Sequence, residues 1–185
     1  KANDFRKMLY QLTIANKPTL IVATGGSKVV AYYLQLIIER LRTDGIICEV
    51  IEPRDYFYKT NRNQFSNLIA ISTSGNTNGM PKILEDFNGN KFLITQKNRE
   101  CNYQVISWNN EKYETEKSFI ALASSLGPIT LMLDAITLLD MDISSSEIKK
   151  INDKVKQLLN KSREKVNSLL YDFKNVSLIQ IMSGY

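Results

Sequence analysis

Apolar residues recur along this chain in two alternating rhythms. Phe5, Met8, Leu9 and Leu12 keep the three-to-four spacing of one helical face, with Asn3 or Asp4 placed to cap its start. Residues 19–24 (TLIVAT) are apolar almost without interruption and read as a buried strand, and Gly25, Gly26 and Ser27 turn the chain. Val30, Leu34, Ile37, Ile38 and Leu41 return to the helical period, which Asp44 and Gly45 end. A second strand is read at 46–52, an irregular stretch or short helix at 53–64, and a third strand at 67–73. Residues 80–87 form a short helix with Ile83, Leu84 and Phe87 inward, and strands four and five follow at 91–95 and 103–108. Residues 119–140 are apolar almost all round, so that helix belongs in a core or an interface, and Pro128 should kink it. Ser144 and Glu147 make a capping box. Ile148, Ile151, Val155, Leu158, Leu159, Val166 and Leu169 then carry a long helix toward Phe173.

Strands that are apolar on both faces and alternate with helices predict an open α/β fold with a parallel sheet covered on both sides. Ligands of such sheets sit beyond the carboxyl ends of the strands. Two turns rich in small residues, 24–27 and 72–77, lie at strand carboxyl ends. In the second, Gly75 permits a tight turn whose N–H groups form an anion-binding concavity. Ser72, Thr73, Ser74 and Thr77 add hydroxyls, and the following helix start adds its N–H groups. This is a cradle for a phosphate ester without a fixed cation. It lacks the Gly-Lys-Ser/Thr of a P-loop, and residues 24–27 lack the dinucleotide fingerprint. A plain structural turn is the alternative, because Ser and Thr are also ordinary capping residues.

Composition narrows the chemistry. The chain has 185 residues and a formal charge of +5, with its Lys and Arg scattered, which argues against nucleic acid and suits a phosphorylated small molecule. No apolar run is long enough for a membrane-spanning helix. There is no His, which excludes imidazole bases and Ser-His-Asp triads within these residues. Cys48 and Cys101 are far apart and read as reduced thiols of a cytoplasmic protein, so neither a metal nor another cofactor is expected. Glu111, Glu114 and Glu116 are the carboxylates available for proton transfer, unless they only favour a helix start; Lys112 and Lys117 stand beside them. Trp108 and Tyr113 read as packing residues, whereas Tyr32, Tyr33, Tyr56, Phe57 and Tyr58 line either a pocket or a dimer surface.

The stretches VATGGSKVVAYYLQLIIERL, CEVIEPRDYF and above all IAISTSGNT resemble the sugar isomerase (SIS) family of phosphosugar-binding domains, over roughly residues 20–139. The resemblance implies a three-layer αβα sandwich with a five-stranded parallel sheet in flavodoxin-like order. It implies sugar-phosphate contacts at Ser27, Ser72, Thr73, Ser74 and Thr77, with Gly26 beside them. The layout is similar to the first domain of tandem-SIS isomerases and deglycases, such as the isomerase half of glucosamine-6-phosphate synthase. The function implied is part of an aldose–ketose phosphosugar isomerase or amino-sugar-phosphate deglycase; the alternative is a non-catalytic sugar-phosphate sensor. Only Lys117 and Ser118 resemble the family's stretch before the buried helix, and no second-domain catalytic motif is present. Glu116 is the first candidate base. Residues 1–175 are then one domain. Residues 176–185 resemble 18–27 and are either the start of a second such domain or one more strand, and a homodimer or tandem pseudo-dimer is expected.

Overall fold

The computed structural model describes residues 2–15, 17–41, 47–77, 79–97, 100–108 and 122–137, with five helical positions beyond them, Asp153, Gln157, Asn160, Lys161 and Glu164. The chain divides into two compact units, Lys1–Met141 and Asp142–Tyr185. Among the described residues the first holds five α-helices, α1 (Ala2–Ala15), α2 (Ser27–Leu41), α3 (Pro53–Tyr58), α4 (Met80–Asp86) and α5 (Leu122–Thr137). The same described residues hold five strands, β1 (Thr19–Ala23), β2 (Cys48–Ile51), β3 (Asn67–Ile71), β4 (Asn90–Thr95) and β5 (Gln104–Ser107).

All strand pairs are parallel, in the order β2-β1-β3-β4-β5. β1 and β3 are buried along their whole length, as their uninterrupted apolar residues require of strands covered on both faces. Leu20 and Val22 of β1, Leu68 and Ala70 of β3, and Leu93 of β4 share one face with Tyr56, Phe65, Met80, Ile83, Leu84 and Phe87 from α3, α4 and their flanks. By the two-residue period, Ile21 and Ala23, with their partners Ile69 and Ile71, face the opposite side. There α2 packs on β1, β2 and β3, and α1 and α5 pack against α2 and each other. Three layers result.

A polar ladder closes the amino edge of the sheet. Thr19, Asn67 and Asn90 are register partners on β1, β3 and β4. Asn67 is buried and satisfied on both sides of its amide: Nδ2 donates to Thr19 Oγ1 at 3.3 Å, and Oδ1 accepts from Asn90 Nδ2 at 3.0 Å. Chemistry and cross-strand hydrogen bonding therefore fix the register at this end, leaving the carboxyl ends to loops.

Local differences from the sequence reading have physical causes. α1 begins at Ala2, so Asn3 and Asp4 lie in its first turn, where the Asp4 carboxylate meets the positive end of the helix. β3 stops at Ile71, two residues short of the expected end, because Ser72 bends back to accept the Gly75 N–H. Helix α5 contains Pro128 as expected, and it has a solvent stripe: Leu126, Thr130 and Asp134 are exposed, against a buried face of Pro128, Met132, Ala135 and Ile136. Trp108 packs as expected. A Cβ at Gly127 of α5 would lie 2.9 Å from its indole Cδ1, so glycine permits that approach. Val29, Tyr32 and Leu36 leave an exposed apolar stripe on α2.

In the second unit, Asp153, Gln157, Asn160, Lys161 and Glu164 are helical and exposed. Their spacing places these five on one helical face. The capping box at 144–147 and the segment 176–185 lie outside the described residues.

Candidate functional site

The strand order sets the place. From β1 the chain moves outward to β2, then crosses back to β3 and continues outward on the other side. The carboxyl ends of β1 and β3 therefore flank the point where the winding direction reverses, the usual crevice of an open α/β sheet. Ala23 and Ile71 are register partners at those ends. The turns 24–27 and 72–77 thus leave adjacent strands at one level, about 4.8 Å apart at their roots.

Residues 72–77 form a knot of hydroxyls. Ser72 Oγ lies 2.9 Å from Thr77 Oγ1, and Ser74 Oγ lies 3.1 Å from the same atom. The Gly75 N–H donates to Ser72 Oγ at 3.0 Å, and the Asn76 N–H donates to Ser74 Oγ at 3.2 Å. Gly75 sits at φ +69°, left-handed backbone that a side chain would strain, and this turn brings residues 72 and 77 together. Thr73 contributes mainly through its carbonyl, which accepts from the Gln96 N–H and from Thr95 Oγ1, both at 3.1 Å. Ser72 N–H continues the ladder to Ile94 O at 3.0 Å. The loop is thus anchored to the end of β4 and is not a free tip.

Three hydroxyls meeting at one point are chemically adaptable. Each has one hydrogen and two lone pairs. The two O···O contacts take two of the three hydrogens, and hydroxyl hydrogens reorient by rotation about the C–O bond. The helix behind the loop contributes less than expected. α4 has only seven residues, and its first N–H, of Met80, already bonds Thr77 O at 2.9 Å. The Gly75 and Asn76 N–H groups are likewise engaged within the turn, so rotation of the hydroxyls is the adaptable feature of this loop.

The first turn is held by its backbone. Ser27 N–H donates to Thr24 O at 3.2 Å, Lys28 N–H to Gly25 O at 3.0 Å and Val29 N–H to Gly26 O at 3.3 Å. Gly25 and Gly26 are exposed, and Ser27, half-buried, opens α2. Ser72 and Ser74 each contact Thr77, while Gly26 and Ser27 stand on the neighbouring strand's exit. Glu111, Glu114 and Glu116, with Lys112, Tyr113 and Lys117, lie outside the described residues. Among the aromatics left open by the sequence, Tyr56 is core: its ring is buried and its hydroxyl donates to Asp86 Oδ2 at 3.0 Å.

Sequence reasoning passed over a charged pair at the same edge. Lys28, in the first turn of α2, donates from Nζ to Glu52 Oε1 at 3.0 Å, and Glu52 follows the last residue of β2. Arg54 Nε approaches the other oxygen of Glu52 at 3.3 Å. The hydrogen bond from Lys28, then the charges of Lys28 and Arg54, hold the Glu52 carboxyl below its usual range. The same bond raises the Lys28 ammonium pKa. The available signal was a Lys directly after Ser27 and a Glu at a strand's end. Among the described residues no group of three His, Cys, Asp or Glu is placed to hold a metal ion, and no helix is long and apolar enough to cross a membrane.

No protein-family model matches this sequence, and no curated protein matches it. Solved structures do. Three are each described as an inferred phosphosugar isomerase. The one from Bacillus subtilis superposes with a TM-score of 0.59 at 16% identity, covering 96% of this chain and 57% of that one. What that protein and this chain share is the fold. The second, from Silicibacter pomeroyi, has a TM-score of 0.49 at 18% identity over 75% of this chain and 43% of that one. The third, from Clostridium difficile, has 0.43 at 17% identity over 86% and 50%. This chain therefore spans little more than half of the Bacillus subtilis protein.

Proposed function

We propose that this chain is a phosphosugar-binding domain of the sugar isomerase type, and that it holds the phosphate of a sugar phosphate or amino-sugar phosphate on residues 72–77, with Gly26 and Ser27 across the crevice. The observation that carries this reading is the convergence of Ser72 and Ser74 on Thr77 Oγ1 beside the sheet's point of reversal. The fold shared with the Bacillus subtilis structure supports it. Within an intact enzyme the domain would serve an aldose–ketose isomerase or an amino-sugar-phosphate deglycase. Holding the phosphate positions the sugar, whereas moving a proton between its carbons needs a base within hydrogen-bond reach. Glu52, whose pKa is lowered by Lys28, is poorly suited to that step. Glu116 is the base we would test first, by substitution with Gln.

The site is tested by calorimetry on Ser74→Ala/Thr77→Val. Removing two hydroxyls that bond a charged phosphate should weaken sugar-phosphate binding by about 2–4 kcal/mol, less than the sum of two bonds at roughly 1.5–3 kcal/mol each because Ser72 remains to accept part of the load. Unchanged affinity in a folded double variant would remove the phosphate from this loop.

A further inference from the structure

Lys28 and Glu52 stand at the carboxyl edge of the sheet on the side of β1 away from the hydroxyl loop. Glu52 directly follows β2, and the order β2-β1-β3 puts two strand spacings between the end of β2 and the end of β3, about 9.6 Å. This is the reach of an extended phosphorylated polyol chain with its phosphate at the β3 end. As a surface ion pair the two residues do little for stability, because both remain about a third exposed and screened by water. Their arrangement does preset complementary hydrogen-bonding groups. The ammonium has three donors, of which Glu52 Oε1 takes one. The carboxylate is acceptor-only, with Oε1 toward Lys28 and Oε2 toward Arg54. Neighbouring hydroxyls of one chain match both, accepting from the ammonium and donating to the carboxylate, and neither charge loses its partner when they do.

Resting on the phosphate-binding reading above, we propose that Lys28 and Glu52 form a second subsite that binds the hydroxyl-bearing end of the ligand, so that the site takes a phosphorylated polyol or sugar in preference to phosphate alone. The pair acts as a specificity determinant, and phosphate affinity itself stays with residues 72–77.

Calorimetry with two probes, inorganic phosphate and glucose 6-phosphate, separates the two statements. The wild-type chain should bind glucose 6-phosphate more tightly than inorganic phosphate. Lys28→Met and Glu52→Gln should each weaken glucose 6-phosphate binding about tenfold or more, as loss of a hydrogen bond to a charged group does, with inorganic phosphate affinity unchanged. Both positions are partly exposed, and thermal melts check that the variants fold. Equal wild-type affinity for the two probes overturns the subsite and leaves the phosphate reading standing. So does an equal loss for both probes in the variants, or no loss for either. A wild-type chain that binds neither probe overturns both.

Discussion

Ser72 and Thr77 are five residues apart and their hydroxyls are 2.9 Å apart, closed by one left-handed glycine. The tight turn at Gly75 was legible in the sequence, whereas the contact of its hydroxyls with one another was not, because the same residues could equally have pointed apart. The pairing of Lys28 with Glu52 was not legible. Their 24-residue separation contains a helix and a strand, and only the sheet order brings them together. Tyr56 is a further case. It stands in a run of three aromatics, yet only its neighbours Phe57 and Tyr58 are exposed. Burial, then the hydrogen bond to Asp86 and that residue's charge, pushes the Tyr56 phenol up to about 12 from 10.0. The folded state thus retains a proton that the unfolded chain releases as pH rises past its ordinary value, so stability falls between about pH 10 and 12. Burial also raises the Tyr33 phenol, so Tyr56→Phe should lessen that alkaline fall rather than abolish it, measured by urea unfolding across this range against wild type. An identical pH profile in the variant would mean that another group causes it.

At the scale of elements, periodicity located the five described strands and the helices between them, and its strand errors were at the ends. β2 was expected over 46–52 and runs Cys48–Ile51, and β5 was expected over 103–108 and runs Gln104–Ser107. A strand ends where its ladder hydrogen bonds end, and hydrophobicity does not mark that point. The solvent stripe of α5 was missed because Leu126 at its start is apolar, so the helix read as buried all round. Gly127 in that helix has a definite role in accepting the Trp108 indole. Gly127→Ala would drive a methyl to 2.9 Å from Trp108 Cδ1 and displace the ring. Overpacking of this kind costs about 1–3 kcal/mol, against a smaller gain from Ala as a helix former. The chain has one Trp, so its emission reports the displacement directly. A variant with unchanged emission and a raised melting temperature would refute the contact.

For the whole molecule, uninterrupted apolar strands were enough to expect a parallel, doubly covered sheet. The order β2-β1-β3-β4-β5 came from the family resemblance, since no periodicity states which strands are neighbours. That order turns two separate turns into one crevice. It also separates the proposed site from the amino edge, where a cavity of about 640 Å³ is lined by residues including Tyr10, Asn90, Asn102 and Tyr103. The central claim is that a sugar phosphate binds at the carboxyl edge between β1 and β3. Backbone amide resonances of the chain, followed during titration with glucose 6-phosphate, test it most directly. The account predicts saturable shifts concentrated in residues 24–28 and 72–77. Absence of shifts, or shifts confined to the amino edge around Tyr10 and Tyr103, would contradict it.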